Sequence, residues 1–104
     1  MYRASDELAH EAWLADVDEA ADRLGLGDRI RSRAADLFLS SVDADAPDRS
    51  KRATLAAALY VAALAEGDRR SQGAVADAVG VARLTVQQRW KDLTEEAGLV
   101  APDW

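Results

Sequence analysis

Leu84, Gln87, Gln88 and Lys91 fall within eight residues of one another and are of the kinds that read a nucleic-acid duplex. A glutamine amide donates and accepts hydrogen bonds at once and so matches the edge of adenine, an exposed leucine touches a thymine methyl, and a lysine ammonium meets a phosphate. At helical spacing these four share one face, opposite a stripe of Val86, Trp90, Leu93 and Ala97 suited to a core. Arg69, Arg70 and Arg83 stand close by in the chain. The chemistry on offer is recognition of double-stranded DNA, with Leu84, Gln87 and Gln88 at base edges and Arg69, Arg70, Arg83 and Lys91 at phosphates. The bland reading stands beside it: Gln and Lys are ordinary solvent-facing residues, a pair of arginines is ordinarily just solvated, and two helices joined by a turn also arise from plain packing.

Catalysis is poorly supplied. The 104 residues contain no cysteine and a single histidine, His10, which on a charged helix reads as a surface residue. Thiolate zinc sites, disulfides and cysteine nucleophiles are excluded. The carboxylates are scattered at solvent-facing spacing with no phosphate-binding glycine loop, so neither an enzyme nor a metal or other cofactor is expected. No apolar run approaches the roughly 18 residues of a membrane span and no basic-then-apolar leader is seen, so a cytoplasmic protein without membrane contact is expected.

Net charge is -6, which opposes a nucleic-acid partner. The charge is polarised, however. Residues 1–48 carry 5 basic and 12 acidic side chains, whereas residues 49–104 carry 8 basic and 7 acidic. Between residues 69 and 91 five basic side chains face Asp77 alone. The acidity is mostly Asp, arginine far outnumbers lysine, and alanine is abundant, a bias that resembles proteins of salt-accumulating, halophilic archaea.

Glycines and Pro47 divide the chain into five helical segments, and the period-2 alternation of a sheet is missing. Helices are expected near 5–24, 28–42, 49–65, 71–79 and 82–97. The first starts from a Ser5 cap and ends at Gly25; Ser71 caps the fourth. The third is apolar on every side, which in a soluble protein means a helix surrounded by others. Trp13 and Tyr60 sit among apolar neighbours and read as core anchors, while Tyr2 and Trp104 lie at the termini. Residues 71–93 give a short helix, a turn centred on Gly80 and a longer helix, the sequence shape of a helix-turn-helix.

Four runs carry a family resemblance: Ala57-Ala-Leu-Tyr-Val-Ala-Ala-Leu, Gly67-Asp-Arg-Arg-Ser-Gln, Val75-Ala-Asp-Ala-Val-Gly-Val, and Leu84-Thr-Val-Gln-Gln-Arg-Trp-Lys-Asp-Leu. Together they resemble the cyclin-like repeat of the general transcription factor B family, most closely the C-terminal repeat of archaeal members. Ala21-Asp-Arg-Leu-Gly-Leu and the segment 28–41 are similar to its first-helix ending and second helix, so the resemblance spans roughly residues 16–94. It implies an all-α, five-helix cyclin-like fold with a C-terminal helix-turn-helix at 71–97, one domain over 1–104. It also implies a role in archaeal transcription initiation or its regulation, where the last two helices read the promoter element beside the TATA box.

The implied base-reading positions are Leu84, where the family commonly has Val, and Gln87, where it commonly has Arg. Arg offers a bidentate fork to guanine and Gln prefers adenine, so the family's base preference does not carry over. A complete factor has a zinc ribbon and two repeats; with no cysteine and one repeat, polymerase recruitment through a ribbon is not expected. The implied partners are double-stranded DNA and either a TATA-binding protein or a second copy of the chain. The alternative is a cyclin-like protein-interaction adaptor that does not bind DNA, favoured by the acidic first half.

Overall fold

The computed structural model describes the backbone of residues 4–98 and the side chains from His10 onward; Tyr2 and Trp104 lie outside the described residues. Among these residues there are five helices and no strand: α1 (Ala4–Leu24), α2 (Asp28–Ser41), α3 (Asp48–Ala65), α4 (Gln72–Val79) and α5 (Arg83–Glu96). The all-α, five-helix expectation holds, with ends within one or two residues of the expected ones. α1 begins at Ala4, which puts Ser5 inside its first turn rather than at its cap.

α3 is the centre because its composition lets every side of it be covered. All ten residues from Thr54 to Ala63 are buried, and five of them are alanines, so neighbouring helices approach closely from all directions. It packs against α2, α5, α4 and α1. Around it the core gathers Val17, Ala20 and Ala21 of α1, the Ile30, Ala34, Leu37 and Phe38 stripe of α2, Val75 and Val79 of α4, and Val86, Trp90 and Leu93 of α5. Tyr60 meets Trp90 edge-on, with ring centroids 5.5 Å apart, a favoured aromatic geometry. Trp13 is half-buried against Phe38 at 6.1 Å. The two buried threonines turn their hydroxyls inward along their own helices, Thr54 donating to the Ser50 carbonyl and Thr94 to that of Trp90.

The junction of α4 and α5 is defined at both ends of α4. Ser71 Oγ accepts the Ala74 N–H at 3.0 Å, the cap expected from its position. At the far end Gly80 adopts φ +86°, a left-handed conformation that costs any residue with a Cβ. The N–H groups of Gly80 and Val81 both donate to the Ala76 carbonyl, at 2.8 and 3.0 Å, and Val81 packs on the core. The chain thus reverses over residues 80–82 and enters α5 with Val86 and Trp90 turned inward.

Arginines finish the helix ends that glycine alone leaves open. A helix C-terminus presents unpaired carbonyls and partial negative charge, which guanidinium donors satisfy. Arg23 of α1 donates to the Ala78 carbonyl at 2.8 Å, and Arg52 of α3 donates to that of Val79 at 3.4 Å. The end of α4 is therefore held from two helices. Arg52 also lies 5.1 Å from the Trp13 ring centroid and near Asp16, which ties α1, α3 and α4 at one point.

Candidate nucleic-acid interface

α5 has two faces of opposite character. Val86, Trp90, Leu93 and Thr94 are buried, whereas Leu84, Gln87, Gln88 and Lys91 are exposed. At 100° per residue the four exposed side chains span an arc of about 100°. Leu84 is 57% exposed, more than any other large apolar residue among those described. Asp92 and Glu95 lie on the exposed side of the C-terminal half, so the face is free of carboxylates only over its first two turns.

The expected phosphate ligands divide. Arg83, the first residue of α5, is exposed, as is Arg69 in the loop before α4. Arg70 behaves differently. Its Nε donates to the Leu24 carbonyl at 2.8 Å, one Nη to that of Gly25 at 3.3 Å and the other to Asp68 Oδ1 at 2.6 Å. It closes the C-terminus of α1, 46 residues away, and so acts as a brace whose donors are already engaged. Sequence spacing alone cannot separate Arg69 from its neighbour, because the difference is made by a carbonyl that only tertiary folding brings near.

The other cations divide in the same way. Of the twelve Lys and Arg side chains from residue 10 onward, seven lie within 4 Å of a carboxylate, all of them arginines. Arg89, on the flank of α5, is one of these, forked onto Glu96 at 3.1 and 3.3 Å. Arg31 is another; its hydrogen bond to Asp22, together with the surrounding carboxylates, raises its pKa above the ordinary arginine value. The five without such a partner among the described residues are Arg49, Lys51, Arg69, Arg83 and Lys91. Every one belongs to α5, to the loop before α4, or to the first turn of α3. Arg49 and Lys51 escaped the reading of the sequence, although the run Arg49-Ser-Lys-Arg after Pro47 was the available signal.

α3 brings that run beside α5. Arg49 and Arg52 line a cleft of about 400 Å³ with Gly80, Val81, Ala82 and Thr85. Lys51 lines another, of about 320 Å³, with Arg89, Ser41 and Asp43. Thr85 and Arg89 are one helical turn apart, so the first turn of α3 runs along that edge of α5. No group of three His, Cys, Asp or Glu side chains able to hold a metal occurs among the described residues, and no helix among them is long and apolar enough to cross a membrane.

Comparison with known proteins gives the arrangement its relatives. The family pattern described as Transcription factor TFIIB repeat matches residues 10–96. Transcription initiation factor IIB of Pyrococcus abyssi is 37% identical over 87 residues, covering 83% of this chain and 29% of that protein. Transcription initiation factor IIB 1 of Thermococcus kodakarensis has the same identity and coverage. Transcription initiation factor IIB 1 of Thermoplasma volcanium is 50% identical over 44 residues, 42% of this chain and 14% of its own. The chain thus spans less than a third of the length of the archaeal factors it matches. Five helices packed around a buried third, a capped short helix turning at Gly80 into α5, and a family match over 87 of 104 residues lead to one assignment: the chain belongs to the transcription factor TFIIB repeat family and has its all-α, cyclin-like fold.

Proposed function

We propose that this repeat is a DNA-binding module of archaeal transcription initiation or its regulation, working in the cytoplasm through α5 and without catalysis. The observation that carries the reading is the coincidence of the exposed Leu84, Gln87, Gln88 and Lys91 face with the region that holds every cation lacking a carboxylate partner among the described residues. α5 seats its N-terminal half in the major groove, where a helix of about 10–12 Å diameter fits an opening of about 12 Å. Gln87 and Gln88 hydrogen-bond base edges and Leu84 touches a thymine methyl. Arg69, Arg83 and Lys91 meet phosphates; Arg70 stays at its structural post. The net charge weighs against DNA less than its sign suggests, since no carboxylate lies among residues 83–91, the first two turns of α5. The other partner we assign is a TATA-binding protein or a second copy of the chain.

Base-reading and phosphate-binding residues fail in different ways, which supplies the test. Gln87→Ala is expected to relax preference at one base position by about 1–3 kcal/mol while leaving the salt dependence intact. Lys91→Ala is expected to weaken all duplexes alike and to reduce the slope of log affinity against log salt by about one unit. Titration of both variants over a series of duplexes and salt concentrations measures the two effects. Binding that neither substitution alters would transfer the weight to the adaptor reading, in which the acidic face of α1 meets a protein.

A further inference from the structure

α4 is the shortest of the five helices, with eight residues, too few for a helix to hold itself together in water. The side chains it buries, Val75, Ala76, Ala78 and Val79, are all small. The N-terminal half of α5, which carries Leu84, Gln87 and Gln88, buries only Val86, whereas Trp90, Leu93 and Thr94 belong to the other half. Gly80, Val81 and Ala82 join that N-terminal half to α4. At 1.5 Å per residue Gln88 lies about 9 Å beyond Ala82, so a tilt of about 10° at the turn moves it by about 1.6 Å. Hydrogen bonds to base edges tolerate only a few tenths of an ångström.

Both ends of α4 are tied to the end of α1. Arg70, just before the Ser71 cap, donates to the carbonyls of Leu24 and Gly25. Arg23, next to them in the chain, donates to the Ala78 carbonyl in the last turn of α4. The stretch Arg23-Leu-Gly thus accepts hydrogen bonds at one end of α4 and donates one at the other. Arg52 of α3 adds a longer bond to the Val79 carbonyl. Carboxylates of α1 aim both guanidinium groups, Glu19 holding that of Arg23 and Asp16 lying 3.8 Å from that of Arg52. All four side chains line one small cleft with Ala78 and Val79.

We infer that Arg23 and Arg70 are positioning residues for DNA reading: they tie the two ends of α4 to the end of α1 and so fix the tilt at which α4 delivers the N-terminal half of α5. This rests on the proposal that α5 reads DNA. It gives α1 a part in recognition without any contact of its own to the duplex. Loosening α4 costs the aligned hydrogen bonds at base edges and spares the attraction to phosphate, which falls off slowly with distance.

The test compares Arg23→Ala and Arg70→Ala with Arg69→Ala. On a selected duplex the two positioning variants are expected to lose about tenfold in affinity, with binding to random duplexes and the salt slope as in the unmodified chain. Arg69→Ala weakens all duplexes alike and lowers the slope by about 0.9. Amide hydrogen exchange supplies a readout that needs no DNA. The N–H groups of Gly80 and Val81, bonded to the Ala76 carbonyl, exchange at least about tenfold faster in the positioning variants relative to those of residues 59–63 in α3, because one element opens without the rest. A general loss of stability speeds both sets alike. The Arg23 side chain is 57% exposed, so Arg23→Ala is expected to keep the fold and carries the test if Arg70→Ala does not. Equal loss on selected and random duplexes, a lowered salt slope, or equal acceleration of exchange in α3 and at Gly80 overturns the inference while leaving α5 as the reading helix. Failure of the unmodified chain to bind any duplex overturns both.

Discussion

Leu59→Ala costs the molecule a large share of its folding free energy, whereas Leu84→Ala leaves its stability almost untouched. Both remove the same atoms from helices, and only their surroundings differ. Leu59 has no exposed surface and sits in the stretch of α3 that four helices enclose. Truncation there forfeits the transfer free energy of the side chain and leaves a cavity in the core, at a cost of about 2–5 kcal/mol. Domains of this size hold only about 5–15 kcal/mol in all. The loss corresponds to a fall in melting temperature of about 8 °C or more. Leu84 is 57% exposed, and substitution at such a site changes stability by about 0.5 kcal/mol or less. Thermal melts of the two variants measure the contrast; equal losses would contradict the assignment of the two helix faces. The same pair separates function from folding, since Leu84→Ala is expected to keep the fold and alter only the exposed face of α5.

What the sequence made legible follows from the range of the interactions involved. The all-round apolarity of residues 53–65 marks α3 as central, because no face of it has polar groups to give to water. The cap at Ser71, the turn at Gly80 and the inward stripe of Val86, Trp90 and Leu93 are local, set by positions within one or two turns of each other, and all are found as read. Apart from the Ser5 cap, which α1 overruns by starting at Ala4, the arginines are where reading fails. Arg70 looks identical to Arg69 along the chain, yet its partner carbonyl at Leu24 is 46 residues away. Arg49 and Lys51 precede α5 by more than thirty residues, and only the packing of α3 on α5 brings them to the edge of that helix. Charge placement is a tertiary property even when helix placement is not.

The second large effect concerns salt and partnership. Five phosphate contacts, the number of cations without a carboxylate partner among the described residues, give a salt slope of about -4.5. Between 0.1 and 2 M salt such binding falls by about five to six orders of magnitude. The acidic face of α1 offers no relief in brine, where the Debye length is about 3 Å or less. At high salt the repeat alone is therefore expected to leave duplex DNA unoccupied. A second surface restores occupancy, because linking two weak contacts raises avidity by about 10²–10⁴. The candidates are a TATA-binding protein and a second copy of the chain. Gel shifts in concentrated salt, with the repeat alone, at rising repeat concentration and with a TATA-binding protein added, distinguish them. Tight sequence-specific binding by the unaided monomer at high salt would refute the need for a partner.

That α5 reads DNA is the claim on which the rest depends, and selection from a pool of random duplexes at about 50 mM salt, a range in which phosphate contacts are strong, tests it most directly. A DNA-reading α5 enriches a short contiguous motif in which one position loses its preference when the selection is repeated with Gln87→Ala and the others keep theirs. A pool that emerges from the selection indistinguishable from the pool that entered it would mean that α5 does not read DNA.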